Sequence, residues 1–464
     1  PFGPVTGWTW SNTTTVSRSY TEDGDPSQIV TAAVTNGYTV DNAQRITGVS
    51  DSGLSSNSLT FGYDLLDRVT SGSSSALTRG YTYDANNNML TETGTVAYTA
   101  SITPTNNQIA STTGGIVRTY GYDSAGNTTS YTGDTLTFNQ RGRMSSATVS
   151  AGTTNYAYNA LGQLMEKSGN GGATLLMYDE AGHILGEYSS SGALIEETIW
   201  MENLPVATLQ PNGSSISIYY IHSDHLGTPR KITQPSTNTL VWRWDPDTFG
   251  SLAPNQNPAG LGTFTYNLRF PGQYYLPETG LFSNGFRDCY DPATGRYCQS
   301  DPVGLSGQSF STYAYAGGNP VSNIDPLGLL LVIIGNTVAE QTALQNALNI
   351  VGSTQRGNEL INALKNSPVL YLITNQQDGN AYFQGTVISV DPNFHPRVNV
   401  DGKTYCGAER APTSVILGHE LGHAVRGDTV EDPQIEWANI YENENPIRQQ
   451  LNLPIRTGLA PVPW

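Results

Sequence analysis

Short aromatic motifs that recur down the first 200 residues constrain this chain most. Tyr63-Asp64, Tyr81-Thr82-Tyr83-Asp84, Tyr120-Gly121-Tyr122-Asp123, Tyr156-Ala157-Tyr158-Asn159 and Tyr178-Asp179 each lead into a polar turn and a further stretch. Leu136-Thr137-Phe138-Asn139 followed by Gly142 is a degenerate copy. Alternation of the Tyr-x-Tyr type puts both rings on one face of a strand. The Asx side chain bonds the backbone that follows it and starts a turn. Gly or Asn at the tip tolerates positive φ. Each unit therefore reads as a β-hairpin, and since one hairpin is marginal alone, the array must stack side by side. Repetition of this kind makes the fold class mainly β. Residues 1–62 carry the pattern only weakly.

Composition agrees with many short strands. Hydrophobic residues make up 37%, while Gly (49) and Tyr (26) are abundant. A length of 464 residues predicts more than one domain. The net charge of −17 argues against nucleic acid as the main partner, because phosphate binding needs clustered Lys and Arg. No apolar run is long enough to predict a transmembrane helix. No signal peptide is visible, and the opening at Pro1 reads as an internal piece of a longer chain. Three cysteines exclude a complete disulfide framework. Cys289 and Cys298 read as thiols with their pairing left open, and Cys406 reads as a buried thiol rather than a metal ligand.

Composition changes at Leu330, where tyrosine repeats stop. Helices are predicted over Thr337–Val351 and Arg356–Lys365, and strands over 370–374 and 386–391. A third helix is predicted over Ser414–Arg426, with Pro412 and Thr413 at its start and Gly427 at its end. It carries the one clear piece of reaction chemistry. His419 and His423 are four residues apart and project from one face. Two imidazoles so placed can hold a zinc ion, and Glu420 is placed to take a proton from water there. This is the HExxH arrangement of zinc peptidases. Gly418 and Gly422 admit a closely packed neighbour. His395 reads as a loop histidine.

The hairpin motifs resemble the tyrosine-aspartate (YD) repeats of the Rhs family. That resemblance implies a β-hairpin spiral forming a hollow shell over residues 1–221. Tyr219-Tyr-Ile-His222-Ser-Asp224-His225-Leu-Gly resembles the signature of the core-terminal region, assigned to 222–329. The family uses this stretch structurally, so His222, Asp224 and His225 are not expected to hold a metal. Trp242-Arg-Trp244-Asp245 and Tyr290-Asp291-Pro-Ala-Thr-Gly-Arg296-Tyr297 continue the resemblance. So do Asp301-Pro-Val-Gly-Leu305 and Asp325-Pro-Leu-Gly-Leu329 at its close. In the family such aspartates act as an aspartic-protease-like pair. Carried over, Asp301 and Asp325 share acid and base roles, as close carboxylates can. The scissile bond is then Leu329–Leu330.

Residues 330–464 resemble the zincin family, in its branch with a downstream Glu found at the ends of bacterial toxins. That implies a small α+β domain with Zn2+ as cofactor. Glu444, Asn445 and Arg448 match a Glu-Asn-x-x-Arg run that closes the ligand-bearing helix there. Glu436 is the implied third ligand, with Glu442 and then Asp428 as alternatives. Gly385–Asp391 is the implied strand that pairs with substrate. Tyr441, Arg448 and Arg456 stay open as groups that stabilise an oxyanion. Together the resemblances imply a secreted polymorphic toxin, delivered to target cells, whose zinc endopeptidase is released by self-cleavage. A target-cell protein substrate, a cognate immunity protein, a secretion-system carrier and shell self-association would be its partners. The alternative is a structural or adhesive YD-repeat protein with an inactive cargo.

Overall fold

The computed structural model describes residues 5–457 apart from 23–24, 44, 95–96, 170, 302–310, 326–327, 329–331, 335–346, 349, 352–353, 366–371, 375–380, 385–386, 391–396, 399–408, 427–432 and 452. The chain forms two compact units. One comprises Pro1–Gly304 and Ser309–Gly328, the other Leu305–Gln308 and Leu329–Trp464.

In the first unit, 24 strands from Gly7–Thr9 to Thr239–Arg243 make one sheet. Successive strands pair antiparallel as hairpins, as in Gly152–Tyr158 with Leu164–Gly169 and Gly172–Tyr178 with Ile184–Ser189. One hairpin shows the rule. Asn159 Oδ1 accepts from Leu161 N at 3.0 Å and Gln163 N at 3.0 Å, and Gly162 takes φ 81°. The register then slips by one residue, so that Tyr158 faces Leu164. Asp64, Asp84 and Asp123 make the same turn, with Asp67, Asn87 and Gly126 at positive φ. Asp41 and Asn139 do so too. Thus the weakly matching residues 1–62 and the degenerate copy contain true repeats.

Successive hairpins are stapled by the tyrosine that precedes the Asx residue of each motif. The phenols of Tyr63, Tyr83, Tyr122, Tyr158 and Tyr178 donate to the carbonyls of Ile46, Val69, Ile109, Met144 and Leu164, at 2.6–3.0 Å. Each acceptor sits in the hairpin before. The residue that closes one turn also covers the ring of the next. Arg45 lies 5.0 Å from the Tyr63 centroid, Arg68 4.6 Å from Tyr83 and Arg143 4.8 Å from Tyr158.

The strand Ser215–Ser223 runs across the expected boundary at 221/222, and the sheet continues to Arg243. A four-stranded sheet follows, Gln273–Leu276, Leu281–Asn284, Arg287–Asp291 and Arg296–Tyr297. Its last hairpin joins Cys289 to Cys298 in a disulfide with Cα atoms 5.3 Å apart, which corrects the reading as thiols. The cause is cross-strand pairing, seen in the Cys298 N to Cys289 O bond of 2.8 Å. Trp242, Trp244, Tyr266, Tyr290 and Tyr297 are buried here, packed with Leu136, Met144 and Tyr156 of the repeats.

The second unit is α+β. Its four-stranded sheet runs in the order Val332–Ile334, Leu372–Thr374, Val387–Val390, Ala381–Gln384. The first two contacts are parallel and the last antiparallel. Val387–Val390 is therefore an inner strand, which corrects its expected role as the strand that meets substrate. Among the described residues the two edges are Val332–Ile334 and Ala381–Gln384. A helix spans Gln355–Lys365. Of the helix expected over Thr337–Val351, Ala347, Leu348, Ile350 and Val351 are helical and 337–346 lie outside the described residues. Among the described residues no helix is long and apolar enough to cross a membrane.

Candidate metal centre

The helix Thr413–Arg426 is apolar nearly all round, with every residue from Ser414 to Ala424 buried. A second helix, Pro433–Asn439, passes into a π turn at Ile440–Glu444 and then a helix Asn445–Gln450. A π turn is a device common at functional sites. Gly422 permits the close approach: a Cβ there would overlap Asn439 Oδ1 and lie 2.6 Å from Asn443 Nδ2. So seated, Asn439 Nδ2 donates to His419 O at 2.9 Å.

This packing brings His419, His423 and Glu436 together, the one cluster of metal-ligating type among the described residues. His419 Nε2 is 3.2 Å from His423 Nε2, His419 Nε2 is 3.2 Å from Glu436 Oε2, and His423 Nε2 is 3.3 Å from Glu436 Oε2. Ligands held at about 2.0–2.1 Å around a tetrahedral zinc ion stand about 3.3 Å apart, so the donor set fits. Glu442 is exposed and pairs with Arg426 at 3.0 Å, away from the cluster. Asp428, Cys406 and His395 lie outside the described residues.

Behind the cluster stands Glu444, 2% exposed, with Oε2 3.0 Å from His419 Nδ1. A carboxylate in that place is an outer partner of the kind that orients ligating histidines. The field favours positive charge. Burial works against a proton on His419, yet Glu436 and Glu444 outweigh it and raise the group to about 10. Against their own burial, the histidines and Arg456 hold Glu436 well below the ordinary carboxylate range, and His419, Arg456 and Arg448 hold Glu444 at about 2. Glu420 differs. It is 4% exposed, burial pushes its carboxyl up, and its Oε2 meets no protein hydrogen-bond donor among the described residues.

Of the three groups open for oxyanion stabilisation, Arg448 is committed to Glu444 Oε1 at 2.7 Å and Pro454 O at 3.3 Å. Tyr441 is on the surface. Arg456 stands at the cluster, 2.9 Å from Glu444 Oε2 and 3.6 Å from Glu436 Oε1.

The two aspartates of the closing motifs also meet. Asp325 Oδ2 and Asp301 Oδ2 lie 2.9 and 3.5 Å from the same nitrogen, Nη2 of Arg287. Tyr297 donates to Asp325 Oδ2 at 2.9 Å, with the Arg287 guanidinium 3.5 Å from its ring centroid. Arg287 Nε donates to Gly328 O, the carbonyl before Leu329. Leu329 and Leu330 themselves lie outside the described residues. Arg287 escaped the sequence reading because its number gives no hint of this meeting. His222 bonds Thr233 Oγ1 at 2.9 Å, His225 bonds Val321 O at 2.8 Å, and Asp224 caps a hairpin turn.

A family model described as Teneurin YD-shell matches residues 31–321, more than half of the chain. Over 120 residues the chain is 40% identical to the toxin protein Tse5 of Pseudomonas aeruginosa, which covers 25% of this chain and 8% of that protein. Over 169 residues it is 32% identical to the probable deoxyribonuclease RhsB of Dickeya dadantii, covering 36% of this chain and 11% of that protein. The chain thus spans about a tenth of the length of these relatives. In the solved Tc holotoxin pore of Photorhabdus luminescens a similar fold covers 72% of this chain and 19% of that chain, with TM-score 0.57 and 18% identity.

Proposed function

The chain belongs to the teneurin YD-shell family, and from that premise we propose that it is the shell and cargo of a polymorphic toxin whose cargo is a zinc endopeptidase. One observation carries the reading: Nε2 of His419 and Nε2 of His423 on a buried helix lie 3.2 Å apart, and Oε2 of Glu436 on the next helix lies 3.2–3.3 Å from both. These three residues would hold the ion, and Glu444 would orient His419. Zinc in such a centre polarises a carbonyl and acidifies water. Glu420 takes the proton from the attacking water on its unpartnered oxygen and passes it to the leaving amide nitrogen, so a peptide and water yield an acid and an amine. The activities named for the relatives are theirs, since each match spans about a third of this chain or less.

The test is metal analysis of the purified chain beside proteolysis of a target-cell extract. Wild type should carry one zinc and generate new termini. Glu420→Gln should keep the metal and lose about 10²-fold or more of the rate, in line with removal of a general base. Equal cleavage by both proteins removes the reading. Self-release forms a second part of the proposal. Asp301 and Asp325 would cut after Leu329, freeing residues 330–464. Asp325→Asn should leave the chain intact on a denaturing gel, and a fragment persisting in this variant would count against the assignment.

A further inference from the structure

Arg456 lies outside every motif that the sequence displays, yet it touches both carboxylates of the centre. Its Nη1 donates to Glu444 Oε2 at 2.9 Å, and its Nη2 lies 3.6 Å from Glu436 Oε1. Its backbone is clamped as well. Arg456 N donates to Asn445 Oδ1 at 2.6 Å, and Asn445 Nδ2 donates back to Arg456 O at 3.1 Å. Both residues are 8% exposed. Adjacent side chains, Glu444 and Asn445, thus hold one arginine by its head and its backbone.

The geometry at Glu436 shows what this does. Oε2 is the oxygen that faces both imidazoles, while Oε1 turns to Arg456. A carboxylate with neither oxygen restrained can offer both to a cation. That would give the centre four protein donor atoms instead of three beside the water, raising its coordination number from four to five and crowding the place where a catalytic zinc takes substrate. We infer that Arg456 is a positioning residue that commits Glu436 to the metal through Oε2 alone. By its other nitrogen it ties that choice to the carboxylate orienting His419. This rests on the zinc reading proposed above and adds a residue to it. A guanidinium suits the task because two nitrogens of one rigid plane reach two acids at once, which a lysine ammonium does not.

The experiment uses the full chain. Zinc affinity is measured by competition with a chromophoric chelator, and cobalt(II) is then loaded in place of zinc so that its visible absorption reports coordination number. Arg456→Met should weaken zinc binding about 10–100-fold, the usual cost of losing an outer partner of a ligand. It should also weaken the cobalt bands as the centre gains a fourth protein donor. Arg456→Lys should fall between the two proteins in affinity. Should Arg456→Met fail to fold by circular dichroism, Arg456→Lys carries the same comparison. Wild type that binds zinc, with both variants within about twofold of it and an unchanged cobalt spectrum, overturns the inference and leaves the peptidase standing. Wild type that takes up no zinc overturns both.

Discussion

A single hydroxyl separates tyrosine from phenylalanine, and in the repeats it does structural work that hydrophobicity does not describe. The tyrosine before the Asx residue of each motif is packed against neighbouring core, but its oxygen also satisfies a carbonyl of the preceding hairpin. Phe138, in the degenerate copy, keeps the packing and lacks the donor. Tyr158→Phe imposes the same loss on a full repeat, leaving Met144 O without its 2.8 Å partner. The first unit should lose about 1–3 kcal/mol, the cost of an unmet buried polar group. Denaturant unfolding followed by tryptophan fluorescence measures it, and a midpoint unchanged from wild type would show the staple to be idle. At this scale the sequence was most legible where chemistry is local. His419, Glu420 and His423 were picked out by their motif and its spacing on a helix. Arg287 was not picked out, and Arg456 was named only as one of three open oxyanion groups, since what makes them matter is the set of acids they meet after the chain has folded back.

Elements were legible according to how much of their definition lies within a few residues. The Asx turns were, because Asp or Asn acts on amides two and four residues on. The order of strands in the second unit was not, because Ala381–Gln384 was not read as a strand, and only its pairing with Val387–Val390 makes the latter an inner strand. The π turn at Ile440–Glu444 was likewise hidden: its one-residue dislocation serves contacts from Asn439 and Glu444 to another helix. The disulfide belongs to this scale too. Cys289 and Cys298 are nine apart in sequence and become neighbours only once Tyr290 pairs with Tyr297. Replacing both with Ala should cost the first unit about 2–3 kcal/mol by the loop-closure account. A thiol-reactive dye on denatured, unreduced protein checks the premise, since it should label one cysteine of the three.

Over the whole molecule, two compact units with separate cores predict two unfolding steps. If the second unit holds zinc, a chelator should lower its transition alone, and added zinc should raise it in proportion to the logarithm of free metal. Differential scanning calorimetry with and without chelator decides this; movement of both transitions, or of neither, contradicts it. The strand Ser215–Ser223 runs through the boundary drawn at 221, and the second unit comprises Leu305–Gln308 and Leu329–Trp464. The direction of the tyrosine bonds has one more consequence. Each of the five stapling phenols reaches back towards the amino terminus, so each acceptor carbonyl exists before the ribosome has made its donor. A chain built this way can zip up vectorially during synthesis, each newly emerged hairpin latching onto a finished one.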